Sequence, residues 1–496
     1  MERIRVPFEG EGAGAGVLTW GQHQVWQAMI EVGTSMSMGG VVPVHDARTV
    51  SDFAEELRFF MTRYPSMRTL LRIAEDGTTT QETFPSGDAF LEVHTVRFPG
   101  PQSSAPAVSP SSPDPTLAPS PDPASALSPD PAPASSVGTA PAPSQDSLPA
   151  PLLEAAGTLA AEVYAGWKAR NFDYTTEWPI RMAVVQAGPG GPVIHVVVMV
   201  CHIAADGSGL ATMVRELAQR DAIGPHAATS HLDLVALQQA STRQTDNAMR
   251  YWETQLRAIA PQRFPAGFNE PPAPRFRQLV WQSPALHAAG ERLAALLSID
   301  SAPILLAAYG VAFTRVVGDG PFATQVIVSN RFRPGLADVV SPLAQNGLVV
   351  FEARDTTAAE AVSRARQSSM SASKYAYYDP ATRQALIDQI GKDRGEPLDL
   401  QVFYNERRMT LRPPASTPDE AAIRSLLPAT TLIRETPLPY FNEKLMINID
   451  DVPDTIQITT EIDTAYLPIE GLHRLLQEME NFTVAAALNL AAQSVP

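Results

Sequence analysis

Cysteine is almost missing from this 496-residue chain: Cys201 stands alone. One thiol closes no intrachain disulfide and builds no multi-cysteine zinc site. A chain that folds without disulfides suits a reducing compartment, so a cytoplasmic location is expected. Positive charge is scarce as well. Lys and Arg number 37 against 53 Asp and Glu, a formal net charge of −16. That balance opposes a nucleic-acid partner, which needs a basic face, and opposes adhesion to an anionic membrane surface. Long apolar runs are absent too. The best one, Val193 to Val200, is interrupted by His195 and is far too short to span a bilayer. The first eight residues, Met1 to Phe8, lack the apolar core of a signal peptide. Several catalytic signatures are likewise missing. No Gly-rich loop ends in Gly-Lys-Ser/Thr, which argues against ATP chemistry. The nine histidines include no His-Glu-x-x-His spacing, so no metal site is expected. The sequence Gly207-Ser208-Gly209 does not match a Gly-x-Ser-x-Gly nucleophile elbow.

What is present is ample core material. Hydrophobic residues make up 44% of the chain, and its length suggests two or three compact units. Residues 100–150 break the pattern: Pro, Ser and Ala dominate, with no aromatic, Lys or Arg. So little apolar surface cannot offset the entropy of ordering, and the stretch is expected to be a disordered surface loop. Strand-like Leu91 to Val96 precedes it and helix-like Leu152 to Lys168 follows it, as in one interrupted fold.

Elsewhere helical and strand-like stretches alternate. Helical periodicity covers Gly21 to Ile30, Thr49 to Tyr64, Ala211 to Gln219, Ala248 to Ile259, Pro303 to Val317 and Ala358 to Tyr375. Strands are expected at Ile180 to Val185, Val193 to Val200, Phe322 to Ser329 and Leu398 to Tyr404. The second is apolar on both faces and therefore central. Lys444 to Ile449 and Thr455 to Ile462 read as a hairpin before a last helix from Ile469. The polar stretch from about Gly224 to Asn247 is the candidate hinge between two α/β halves.

The chemistry centres on Cys201-His202-Ile203-Ala204-Ala205-Asp206-Gly207. His202 follows the central strand directly, at its mouth. Small Ala204 and Ala205 leave space beside it, Asp206 needs a cationic partner if buried, and Gly207 would allow a turn that a side chain resists. An imidazole titrates near neutrality and suits proton transfer from an attacking amine or hydroxyl. Judged on these residues alone, a strand-end histidine is more often structural than catalytic. Cys201 is a poor nucleophile candidate, because adjacent strand residues point to opposite faces.

This segment resembles the His-His-x-x-x-Asp-Gly signature of the condensation domains of nonribosomal peptide synthetases, in the superfamily of chloramphenicol acetyltransferase. Further segments resemble that family in its own order. They are Leu18 to Trp26, Arg63 to Leu70, Asn171 to Arg181, Tyr251-Trp252 with Leu256, Ser329 to Leu336, Asn346, and Gln401 to Asn405. Together they span nearly the whole chain outside the Pro/Ser/Ala stretch. The sequence departs from the pattern where Cys201 replaces the first histidine and Gly335 replaces a glutamate.

The resemblance implies an α/β fold of two chloramphenicol acetyltransferase-like halves, residues 1–235 and 236–496, set in a V as a pseudo-dimer around an active-site tunnel. It implies that His202 is catalytic and that Asp206, Gly207 and Arg331 are structural, with Arg331 pairing with Asp206 across the halves. It further implies Cys201, Asn346 and Asn405 as tunnel-lining candidates. Arg68 and Arg181 read as framework ion-pair residues, and Trp26, Tyr251 and Trp252 as core. The implied activity transfers an acyl group to an amine or alcohol acceptor, giving an amide or ester in natural-product (for instance antibiotic) biosynthesis. No cofactor would be bound. The donor would ride on the phosphopantetheine arm of a separate acyl or peptidyl carrier protein. The triplet Asp146-Ser147-Leu148 matches a carrier attachment site, but no helical bundle surrounds it, so chance is the expected reading. The alternatives are an acyl-CoA donor, or a condensation-like protein that docks carriers without turnover.

Overall fold

A computed structural model describes residues 1–96, 148–224, 229–264, 267, 271–318, 320–408 and 417–493. The expectations for the Pro/Ser/Ala stretch and for the Asp146-Ser147-Leu148 triplet fall largely outside these residues. The chain divides into two units. The first comprises Met1–Leu237 with Arg331–Leu343, and the second comprises Gln238–Asn330 with Ala344–Pro496. The division therefore differs from two continuous halves: the segment from Arg331 to Leu343 belongs with the first.

The first unit contains β1 (Glu2–Glu9), β2 (Gly14–Val17), α1 (Trp20–Val32), β3 (Met38–Pro43), α2 (Val50–Arg63), β4 (Thr69–Ile73), β5 (Thr79–Thr83) and β6 (Ser86–Val96). It continues with α3 (Ala150–Lys168), β7 (Ile180–Ala187), β8 (Val193–Val200), α4 (Gly207–Ala218) and α5 (His231–Gln239), which ends just past the boundary. A five-stranded sheet runs β1-β6-β7-β8-β3, and a small sheet runs β2-β5-β4. Side chains on β7 and β8 are buried on both faces. Met182, Val184 and Val196 pack with Phe53, Leu57 and Met61 of α2. Ala183, Val185 and Val197 pack with Ala156 and Ala160 of α3. That double burial explains why β8 reads as an unbroken apolar run.

Helix caps are legible in the residues. Thr19 accepts a hydrogen bond from Gln22 N at 3.1 Å, and the Gln22 side chain accepts from Thr19 N at 2.9 Å, a reciprocal capping box. Thr49 and Asp52 close the same box on α2. The expected hinge at Gly224 to Asn247 does contain the boundary between the units, at Leu237, but it is built from helix: it holds α5 and the start of α6. Most of its described polar residues occupy helix surfaces, with His231, Gln238 and Thr245 buried, a pattern that composition alone does not separate from a loop.

The second unit contains α6 (Thr242–Ala258), β9 (Phe276–Ser283), α7 (Pro284–Leu297), α8 (Ala302–Val316), β10 (Phe322–Val328), β11 (Gln345–Phe351), α9 (Ala358–Lys374) and α10 (Pro380–Arg394). It ends with β12 (Val402–Glu406), α11 (Glu420–Leu426), β13 (Thr431–Leu438), β14 (Leu445–Val452), β15 (Thr455–Asp463) and α12 (Ile469–Gln493). Its seven-stranded sheet runs β11-β10-β12-β14-β15-β9-β13. Helices α7, α8, α9 and α12 cover one face with the main core. Almost every residue of α8 is buried, as a helix apolar all round requires. At the β10–β11 end, α6 and α10 pack on the opposite face around Trp252, which stands edge-on to Tyr378 at 5.6 Å. Among the described residues no single helix is long and apolar enough to cross a membrane.

Candidate functional site

The candidate site forms where β8 runs out of sheet. Beyond Val200 the backbone leaves the ladder. Cys201 N donates to Pro179 O at 2.9 Å, His202 N donates to Ser35 O at 3.4 Å, and Ala204 N turns back to Cys201 O at 3.0 Å. Helix α4 starts at Gly207, so only a tight turn separates strand from helix. His202 is half-buried on that turn. Its Nδ1 lies 3.1 Å from the carbonyl oxygen of Ala205. A carbonyl can only accept, so this bond requires the proton on Nδ1. In the neutral ring Nε2 is then the lone-pair nitrogen, free to accept a proton.

Asp206 anchors the turn. It caps α4, accepting from Gly209 N at 2.9 Å through Oδ1. Its Oδ2 accepts from Arg331 Nη1 at 2.8 Å and from Leu343 N at 3.0 Å. Arg331 Nη2 completes a two-pronged pair with Oδ1 at 2.7 Å and also donates to Val339 O and Ser341 O. Both side chains are largely buried, with 6% and 10% exposure. The carboxylate thus satisfies four donors while its charge is matched, the condition under which a buried ion pair is tolerated. The resemblance implied that this pair joins two halves, but both partners lie in the first unit. A further strap comes from α1, where Gln22 Nε2 donates to Gln81 Oε1 at 2.9 Å and to Ile203 O at 3.4 Å.

Two sequence expectations need correction. Gly207 does not serve a glycine-only conformation. It is the first residue of α4, its φ is not positive, and a Cβ there would meet nothing within 4 Å. The nearby positive-φ glycine is Gly335, at +79°, where the carbonyl accepts from Thr229 Oγ1. Cys201, a tunnel-lining candidate, is fully buried beneath α3 among Trp167, Phe172 and Ile203. Its Sγ faces Ser35 O at 3.8 Å. Burial pushes its thiol up to about 12, which keeps it protonated and unreactive at neutral pH.

Cys201, His202, Asp206, Gly207 and Arg331 all belong to the first unit, whereas Asn346 and Asn405 belong to the second. Asn346 is buried on β11, where its carbonyl accepts from Tyr378 OH at 2.7 Å. Asn405 Nδ2 donates to Asn448 Oδ1 across β12 and β14 at 3.1 Å. The framework arginines are held differently. Arg181 forms an ion pair with Glu177 at 2.7 Å and donates to three backbone carbonyls. Arg68, fully buried, donates to the carbonyls of Met61, Phe84 and Glu11. Sequence reading missed the Ala205 carbonyl, the Leu343 amide and Gln22. The two backbone groups leave no mark in residue identity, whereas Gln22 stands three residues after Thr19 in a legible capping box. Among the described residues no group of three or more His, Cys, Asp or Glu is arranged to hold a metal ion.

Comparison with known proteins gives consistent results. The family model for the Condensation domain matches residues 156–406. No curated protein matches the chain in sequence. Among solved structures, the epimerization domain from the third module of tyrocidine synthetase B aligns with TM-score 0.65 and 12% identity, covering 98% of this chain and 99% of that one. A structure on condensation domain-mediated chain release from the enacyloxin polyketide synthase aligns at 0.63 and 17%, covering 98% and 84%. The X-domain from teicoplanin biosynthesis aligns at 0.62 and 14%, covering 95% of each. At such identities the likeness establishes the fold alone.

Proposed function

Because the chain belongs to the condensation-domain family, we propose that it is an acyltransferase that moves an acyl group from a carrier-protein thioester to an amine or hydroxyl acceptor. The observation that carries this reading is the His202 Nδ1 bond to Ala205 O, which leaves Nε2 as a base. In the proposed step the acceptor nitrogen or oxygen attacks the thioester carbonyl while Nε2 takes its proton. The tetrahedral species then expels the pantetheine sulfur, which recovers the proton from the imidazolium. One C–S bond breaks, one C–N or C–O bond forms, and the histidine returns to its starting state. Thioester cleavage drives the reaction, so no ATP, metal or bound cofactor enters any step. Asp206 and Arg331 do not touch the reacting atoms. They hold the turn on which His202 and the Ala205 carbonyl sit, and thereby the direction of Nε2. The donor would be presented by a separate carrier protein in trans, in nonribosomal peptide or polyketide biosynthesis.

Acyl-loaded carrier and the matching acyl-CoA, each offered with a pool of amines and alcohols, test this directly by mass spectrometry. Acceptor-dependent unloading of the carrier, with the acyl group recovered as amide or ester, is the expected result. Transfer from acyl-CoA alone would contradict the carrier assignment. Unloading that ignores the acceptor would contradict transfer.

A further inference from the structure

Beside His202 the sheet of the first unit loses its register. Strand β3 pairs antiparallel with β8, with Gly40 opposite Val198 and Met38 opposite Val200. Carried two residues further, that register would set Met36 opposite His202. The observed bond runs instead from His202 N to Ser35 O, at 3.4 Å. The pairing has slipped by one residue. Such a slip is a β-bulge, a device that re-aims a side chain where a ladder ends.

Met36 takes up the slip, with φ at +46°. Among the described residues, positive φ outside glycine occurs also at Ser298, Asn330, Asp355 and Asp454. Those side chains are short and polar, and Asn and Asp in particular bond locally in this conformation. Methionine has no such compensation, so Met36 holds a conformation that costs free energy. Its side chain is exposed, so core packing does not impose that conformation.

The bonds that impose it gather on Ser35, which is 3% exposed. Ser35 N donates to Asn171 Oδ1 at 2.9 Å. The Ser35 hydroxyl accepts from Phe172 N at 2.8 Å and lies 2.9 Å from Tyr174 Oη. Asn171 Nδ2 donates to Gly33 O at 2.9 Å, where the same loop leaves α1. Tyr174 is fixed in turn. Its ring stands edge-on to Trp26 at 5.1 Å, and its carbonyl accepts from Leu71 N at 2.8 Å. The loop between α1 and β3 is thus tied through Gly33 O, Ser35 N and Ser35 Oγ. The Ser35 carbonyl is left to take the His202 amide, with the Cys201 thiol facing it. Asp206 anchors the turn after His202, and Ser35 anchors it at His202 itself. All of these residues belong to the first unit.

We infer that Ser35 is a positioning residue for His202. The strained Ser35–Met36 bulge fixes the His202 backbone, and thereby keeps Nδ1 on the Ala205 carbonyl and Nε2 free to accept a proton. That this sets a reaction rate rests on the acyl-transfer reading; the positioning itself does not.

Nitrogen-15 NMR of the imidazole rings tests this without substrate. At pH 8 a histidine with an ordinary pKa is neutral, and the ring shifts report which nitrogen holds the proton. His202→Gln identifies the His202 signals among those of the nine histidines. The parent protein should carry the proton on Nδ1. Ser35→Ala should move the population toward the Nε2–H form. Tyr174→Phe, which removes only a hydroxyl, should move it the same way by less. Met36 separates a backbone role from a side-chain role. Met36→Gly, which accepts positive φ, should keep the parent signal, whereas β-branched Met36→Ile, which resists it, should lose it. The reverse order would overturn the inference, as would a parent-like signal in both Ser35→Ala and Met36→Ile. In single-turnover transfer Ser35→Ala should slow the rate by about ten- to a hundredfold, with half-saturation by the acceptor unchanged. A parent-like rate beside a moved proton would leave the positioning standing and contradict the acyl-transfer reading.

Discussion

At the scale of single residues, the site depends on a few bonds that fix a direction. The Ala205 carbonyl sets which ring nitrogen of His202 carries the proton, and the Asp206–Arg331 pair holds the turn that carries both. Removing one partner of a buried pair leaves a bare charge, which costs more than the pair itself contributes. Arg331→Ala should therefore destabilise the protein by about 3–5 kcal/mol, measured by urea unfolding. A loss under about 1 kcal/mol, as surface pairs give, would show that Asp206 is held by its helix-cap role alone. Gly207 makes the opposite case. With open space at its Cβ and an ordinary backbone conformation, Gly207→Ala should leave stability unchanged or raise it by about 0.5 kcal/mol. If Gly207→Ala retains stability yet loses turnover, the open volume beside α4 is occupied by substrate during reaction. Equal turnover would mean that the volume is not used.

At the scale of elements, the strands and helices were legible wherever the apolar period was clean. β8 was readable to its ends, because a central strand buried on both faces leaves an unbroken apolar run. The hairpin of β14 and β15 was legible from its alternation of apolar and polar residues, and the long α12 from its helical period. The exposed strands β1 and β13 were not, since their alternation of charged and apolar side chains also fits a loop. α5 was hidden by its polar composition, yet its first residue is one of the most buried polar groups. His231 is 1% exposed, and its Nε2 is shared between Thr69 Oγ1 and Thr83 Oγ1. Burial, aided by the Arg68 guanidinium, lowers its pKa to about 4 from an ordinary 6.5. The folded state therefore binds this proton less readily than the unfolded chain does. The stability contribution is complete above about pH 6.5 and is lost as pH falls toward 4. The expected loss over that window is about 3 kcal/mol, and His231→Asn should remove it from the pH profile of unfolding. A parent profile that is flat between pH 6.5 and 4 would contradict the burial of His231.

At the scale of the whole molecule, the α/β class and the family were legible from an ordered series of short motifs, some at the end of a strand, as Cys201 to Gly207 after β8 and Ser329 to Leu336 after β10, and others inside an element, as Tyr251-Trp252 in α6. The partition was less so. A cut at residue 235 lies close to the observed boundary at Leu237, but nothing in the sequence separates Arg331 to Leu343 from its neighbours. What ties that segment to the first unit is the pairing of Arg331 with Asp206 and of the Leu343 amide with the same carboxylate, which are contacts rather than composition. The missing first histidine of the motif reads differently once its position is known. Cys201 packs in a core beneath α3, so the substitution changes the packing behind His202 and leaves Nε2 untouched.

The central claim is that His202 Nε2 takes the proton of the attacking acceptor. Single-turnover transfer from a loaded carrier, with the acceptor in excess, measures that step without product release. His202→Ala should slow it by about 10²–10⁴-fold while the amount of bound carrier is unchanged. A rate within about twofold of the parent protein would contradict it, and the chemistry of this chain would then have to be sought away from the end of β8.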